Sequence, residues 1–424
     1  MSRPPFGFSA WDGSDGPGEG GPFGQSPGFD PNDIGKLLSQ LGETFSKLGQ
    51  AASGGSDAPV VDYKEVLAGA KKTVGARQAP TEERRKAVAD AIRLAELWLD
   101  EASGLPTGVH TTAAWSPADW LDNVIGSLQE LCDPVLERMS GAWQDRLPQE
   151  ASQILGPMLA MVSRLGGFAF GEQLARGLGE IAGEVLVATE IGIPLGPNGV
   201  AALVTDNVAE FSEGLAQPAQ EVLVYLAARE AAHHRLFSHV PWLKPTMLAA
   251  FEGYARGVQI DLPDFDAAAE GLDLEALQDP ERMRELFDPA KFELKPTEEQ
   301  LQALARLEHL LAMVEGWVRA VVTKALADRL PSAAALDETI RRRAGGAGSA
   351  EKTFATLLGL QLRPKKLNEA TKLWLQVGDS VGVDARDRLW DHPDLLPTPE
   401  ELDHPDRVVE RLLAENDGPD PLGS

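Results

Sequence analysis

Three of the seven histidines in the chain, His233, His234 and His239, fall inside one seven-residue window. They lie in the stretch Arg229-Glu-Ala-Ala-His-His-Arg-Leu-Phe-Ser-His-Val-Pro-Trp-Leu243, where Glu230 precedes the first two by one helical turn. Side chains three or four residues apart share a helix face, so Glu230 with His233 or His234 can offer a carboxylate and an imidazole to one divalent ion. In the H-E-x-x-H arrangement two histidines hold zinc, and the glutamate beside the first takes a proton from the metal-bound water. Here the same register reads Arg229-Glu230-Ala231-Ala232-His233. Glu230 is the candidate general base, and His233 and His234 are candidate metal ligands. Arg229 stands where the first ligand belongs. A guanidinium is a permanently charged hydrogen-bond donor with no lone pair for a metal. His239 lies six residues after His233, the spacing of the third histidine in H-E-x-x-H-x-x-G-x-x-H, although Leu236 replaces the turn glycine. The same side chains can also form a metal-free polar network where helices pack.

These residues need a helix to carry them and others to enclose it. The pattern from Pro218 to about Ser238 predicts that helix, which Pro241 must stop. A second helix is expected over about 244–257. A long one opens at Thr297-Glu-Glu-Gln and runs to about Leu330, with Leu301, Leu304, Leu307, Leu311, Val314 and Val318 on its apolar stripe. Upstream, Thr81-Glu82-Glu83 and Ser116-Pro117-Ala118-Asp119 read as helix N-termini. Repeated glycines between Gly166 and Gly183 suggest close helix–helix approach, and Glu184–Pro194 is the best strand candidate. Further helices are expected around Phe354 and Leu373. The expected fold is mainly α, with at most a small mixed sheet.

The ends differ in composition. Residues 1–57 combine a disordered Gly/Pro-rich tail with a short amphipathic helix on Ile34, Leu37, Leu38, Leu41, Phe45 and Leu48. Residues 58–395 form the domain, with 58–150 as covering helices and 151–395 as the core. Residues 396–424 are an acidic, poorly ordered tail. With 39 basic against 65 acidic residues and a net charge of −26, a nucleic acid or an anionic membrane surface is a poor partner. The basic groups Arg341–Arg343 and Arg363–Lys366 read as salt-bridge partners. The single cysteine, Cys132, sits in an apolar stripe and fits a reducing compartment, so a cytoplasmic location is expected. No apolar run is long enough for a membrane span. Phosphate-loop, dinucleotide and nucleophile-elbow motifs are missing, which removes the common nucleotide-binding and serine-hydrolase readings.

Several separated segments, in order, resemble one family. They are the R-E-A-A-H-H-R-L-F core, His239-Val-Pro-Trp-Leu243, Val314-Glu315-Gly316-Trp317-Val318 and Glu351-Lys-Thr-Phe-Ala-Thr-Leu-Leu-Gly-Leu-Gln-Leu-Arg-Pro364. Over roughly residues 60–395 the chain is similar to zincin-like actinobacterial proteins described as zinc-dependent hydrolases or metalloproteases. These are relatives of a group associated with biosynthesis of a deazaflavin coenzyme. The resemblance implies a zincin-like core, a zinc cofactor, a peptide or protein substrate, and Glu315 as the third metal ligand. Glu252, 19 residues beyond His233, competes with Glu315 on spacing alone. Arg229 departs from the histidine usual at its position. Three functions are therefore open: a metal-dependent hydrolase, a catalytically inactive zincin-fold binding module, or a helical interaction protein with structural histidines. In the second, the guanidinium should pair with Glu230, Glu315 or both.

Overall fold

The computed structural model describes residues 61–144, 167–168, 170–190, 192–256, 297–345 and 365–416. In chain order the elements are α1 (Tyr63–Val74), α2 (Glu82–Leu99), β1 (Thr111–Trp115), α3 (Pro117–Gln144), α4 (170–182), β2 (Val200–Val204), α5 (Thr205–Glu213), α6 (Ala219–His239) and α7 (Leu243–Arg256). After these come α8 (Glu298–Leu326), α9 (Ala333–Gly345), α10 (Leu367–Val381), the one-turn α11 (Val383–Asp387) and α12 (Pro405–Asn416). The fold is mainly α, as expected. The expected helix over residues 34–48, the tail before it, the acidic passage within 257–296 and the helix around Phe354 lie outside the described residues.

Local chemistry explains where the helices begin. The Thr81 side chain accepts the Arg84 N–H at 3.3 Å, filling one of the orphan donors of α2. Ser116 and Asp119 exchange bonds ahead of Pro117, the Ser116 N–H to Asp119 at 2.8 Å and the Asp119 N–H to the Ser116 hydroxyl at 3.2 Å. Thr297 and Gln300 form a reciprocal capping box on α8. Helix α6 stops where Pro241 removes the next N–H, its last carbonyl bond running from Val240 to Leu236.

Helix α6 is central, packed against α2, α8 and β2. Val222, Val224 to Ala228 and Glu230 to Leu236 are all buried, so every face of its middle turns meets protein. Helix α8 runs between α6, α7 and α10. Its crossing with α10 is tight because Gly316 has no side chain. A Cβ there would lie 2.7 Å from Ala370 Cβ and 3.0 Å from the Thr371 nitrogen. Gly179 of α4 works the same way, since a Cβ there would meet Ala70 O of α1 at 2.9 Å. The tryptophans form a second joint. Trp242 stacks on Trp390 at 6.1 Å between centroids, Trp390 on Trp374 at 5.4 Å, and Trp242 Nε1 donates to Trp390 O at 2.8 Å. Cys132 is buried in the core.

Two expectations need correction. Glu184–Pro194 is not a strand. The sheet pairs β1 and β2 in parallel, from Thr111↔Val200 to Trp115↔Val204. Val187 makes only an isolated antiparallel bridge to Leu203, with bonds from Ala188 N to Ala202 O and Val204 N to Leu186 O. The chain turns away almost at once, through Gly192 at φ +69°. The acidic end is also more ordered than expected. Leu402, Val408 and Leu412 are buried, α12 packs on α10, and Lys366 ties Asp403 at 2.7 Å. Val408 and Leu412 are four residues apart, which gives the last helix one apolar stripe despite its charge. Among the described residues no helix is long and apolar enough to cross a membrane.

The α8–α10 crossing yields a test. Gly316→Ala should lower unfolding free energy by about 1–3 kcal/mol, because the added methyl must push two backbones apart. Gly126→Ala, in α3 with open space around it, should be neutral or stabilise by up to ~1 kcal/mol. Urea denaturation of both variants compares the two.

Candidate functional site

The sequence Arg229-Glu-Ala-Ala-His-His puts two i, i+4 pairs on one helix, and a step of one residue turns them about 100° apart. Arg229 and His233 face α8. Glu230 and His234 face β2 and the 186–190 segment. The two pairs consequently belong to two separate polar clusters.

In the first, Glu315 reaches in from α8 and is shared. Its Oε2 accepts from Arg229 Nη2 at 2.8 Å, and its Oε1 lies 2.7 Å from His233 Nε2. The other ring nitrogen, Nδ1, lies 2.9 Å from the Arg229 carbonyl oxygen, a bond back along the helix that fixes the imidazole plane. The Glu315 and Arg229 side chains are 16% and 15% exposed, and that of His233 is 2% exposed. Gly192 roofs the carboxylate. A Cβ there would come within 3.0 Å of Glu315 Oε1, and the residue's φ is itself left-handed. Burial alone would raise the Glu315 carboxyl, but His233 and Arg229 outweigh it and hold the group at about 2. Burial would likewise loosen the Arg229 proton, yet Glu315, with Tyr225 and Glu190 nearby, binds it more tightly than usual. Tyr225, one turn earlier on α6, bonds Asp337 at 3.3 Å, and Arg319 grips Asp337 through both Nε and Nη2.

In the second cluster Glu230 is wholly buried. Its Oε2 accepts the Thr189 hydroxyl at 2.6 Å and the Thr189 N–H at 3.1 Å, and its Oε1 the Ala202 N–H at 3.2 Å, with His234 Nε2 also at 3.2 Å. Burial pushes this carboxyl up, but His234, Thr189 and the Ala202 amide bring it below its ordinary value. Glu230, the candidate general base, here joins α6 to β2 and to Thr189. Each oxygen accepts twice, and the group makes no hydrogen bond to Arg229, His233 or Glu315. His234, a candidate ligand, meets Glu230 within this second cluster. His239 is exposed at the end of α6, with Nε2 3.2 Å from the Thr107 carbonyl, and Glu252 is exposed on α7. Neither joins the first cluster.

Three buried charged residues, Arg235, Arg386 and Asp387, escaped the sequence reading. Arg235, 1% exposed, donates to Glu96, to the Leu105 carbonyl at 2.8 Å and to Asp100 at 2.5 Å, locking α6 to α2. The signal for Arg235 was an arginine on a helix whose neighbouring turns are otherwise buried.

Zinc needs three or four lone-pair donors about 2.0–2.3 Å from one point. His233 and Glu315 supply two, but they bond each other directly, and the third group on that face is a guanidinium. Among the described residues no three His, Cys, Asp or Glu side chains are grouped to hold an ion. The described residues do not by themselves fit the metal. What the cluster can do is neutralise a buried carboxylate and rigidly join two helices. The stability carried by Glu315 should be present above about pH 4.5 and lost as pH falls towards 2, about 3 kcal/mol in all. Acid titration of unfolding free energy should show this loss in the wild type and not in Glu315→Gln.

Comparison with known proteins extends this picture. No curated protein matches the chain. A crystal structure from Chloroflexus aurantiacus, described as a "putative hydrolase with a novel fold", superposes with a TM-score of 0.59 over 84% of this chain and 100% of that one, at 20% identity. Its likeness establishes the shared fold. The model of the zincin-like metallopeptidase family matches residues 61–409, which include the α6 cluster and its Glu315 partner. The chain belongs to the zincin-like metallopeptidase family.

Proposed function

We propose that this family member is a zincin-fold binding protein in which an arginine replaces the metal centre. The observation that carries the reading is the shared Glu315 carboxylate, bonded to Arg229 at 2.8 Å and His233 at 2.7 Å. Arg229, His233 and Glu315 take the three positions where zincins of the glutamate type carry their ligands. A guanidinium there supplies the positive charge that the carboxylate needs, with its N–H groups directed by a planar fork. It offers no open coordination position and cannot lower the pKa of a water. With Glu230 saturated by four hydrogen bonds, neither half of the water-activating machinery is free.

A metal-dependent hydrolase acting on peptides is the second reading. The family name favours it, as does the 2.7 Å approach of His233 to Glu315, two ligand types on neighbouring helices. It requires Arg229 to leave the cluster and a further ligand to enter. Metal analysis of protein purified without a histidine tag separates the two readings. The binding-protein reading expects zinc well below one ion per chain. One zinc per chain, lost in His233→Ala, would overturn it.

Two variants extend the test. Arg229→His restores H-E-x-x-H and should raise zinc affinity measurably over wild type by calorimetric titration. Arg229→Ala leaves Glu315 buried with one partner fewer and should cost on the order of 3–5 kcal/mol in chemical unfolding. Little or no loss would mean that the ion pair does not hold the site together.

A further inference from the structure

A cleft of about 230 Å³ lies apart from the α6 clusters, between the end of α2, the C-terminal end of α8, and α10 with α11. Its lining includes Arg386, only 2% exposed. This guanidinium is held firmly from behind. Nε and Nη2 donate to the two oxygens of Asp387 at 2.7 and 2.9 Å, and Nη2 also reaches the Ala102 carbonyl at 2.9 Å. The group lies over the Trp317 ring, 5.9 Å from its centroid. Nη1 has no hydrogen-bond partner among the described residues. It lies beside Gly378, where an added Cβ would be 3.3 Å from it. A fixed guanidinium with one arm unmet at a cleft is a preorganised donor, because its orientation is set before any ligand arrives.

The walls carry both signs. Lys324 pairs with Asp379 at 2.7 Å and Arg329 with Glu101 at 2.5 Å, leaving the two acids 61% and 71% exposed. Counting Asp387, three carboxylates face three cations. A phosphate dianion would meet this balance badly, whereas a ligand bearing one charge of each sign matches it. Leu375 and Val383 add a small apolar surface. The volume is below the usual range for drug-sized ligands and suits something smaller.

We propose that this cleft binds a free α-amino acid, with the ligand carboxylate on Arg386 Nη1 and its ammonium towards Glu101 and Asp379. The site is independent of the metal question, since it shares no residue with the α6 clusters. The test uses the full chain and calorimetric titration with each common protein amino acid, then with the des-amino and decarboxylated analogues of the tightest binder and with inorganic phosphate. At least one amino acid should bind saturably, both analogues should bind about tenfold more weakly or worse, and phosphate should not compete. Glu101→Gln, which takes away an ammonium partner, and Gly378→Ala should each weaken binding about tenfold. Glu101 is a surface side chain, 71% exposed, and the Gly378 methyl crowds Nη1 from outside the Arg386–Asp387 pair, so both variants should keep the wild-type circular dichroism. Saturable binding of no amino acid would overturn the proposal. So would equal binding by the variants, or by phosphate alone.

Discussion

A carboxylate out of water must be compensated, and at Glu315 two different elements of chemistry do so at once. The guanidinium of Arg229 takes one oxygen and the imidazole of His233 the other, both from successive turns of α6. This fixes the rotation of α6 and its axial position against α8, because a slip of one residue would carry either partner about 100° away. The close α8–α10 crossing at Gly316, the roof at Gly192 and the Tyr225–Asp337–Arg319 chain then follow as surroundings of a fixed point. Glu230 does the equivalent work on the opposite face, joining α6 to β2 and to Thr189. One helix thus carries two buried carboxylate-centred joints, facing different layers of the fold.

A divalent cation and a guanidinium are alternative answers to the same electrostatic problem. Each can neutralise a carboxylate in a low-dielectric cavity, and each imposes geometry. They differ in what remains afterwards. A metal with three protein ligands keeps a position for water and makes that water acidic, whereas the arginine fork ends at its hydrogen bonds. A zincin scaffold can therefore conserve its packing while losing the position at which hydrolysis would occur.

Much of the fold was legible in the sequence. Pro117, Thr81, Thr297 and Pro241 mark helix ends through local covalent and hydrogen-bonding rules, and the structure honours each. Mainly helical content followed from periodicity. The strands did not, because Thr111–Trp115 and Val200–Val204 are five residues each and a run such as Val-Ala-Ala-Leu-Val suits a buried helix equally well. The 184–194 stretch had strand composition, but its pairing is cut short by the turn at Gly192. Within the cluster, spacing placed Arg229 and His233 on one face, whereas the meeting with Glu315, 82 residues beyond His233, came only through the family resemblance. The direction of Glu230 was illegible. A motif register says which residues share a helix face, and not which layer that face will meet.

The tryptophan stack has a consequence of an optical kind. Trp242, Trp390 and Trp374 sit at the start of α7, beyond α11 and within α10, with ring centroids 6.1 and 5.4 Å apart along the series. Indoles this close exchange excitation and couple their transitions, so the chain carries a built-in chromophore whose near-ultraviolet signature exists only while these three elements are docked. Because Trp242 follows the histidine helix by three residues and Trp374 Nε1 donates to the Met313 carbonyl of α8, that one signal is tied to both helices that bring Arg229, His233 and Glu315 together.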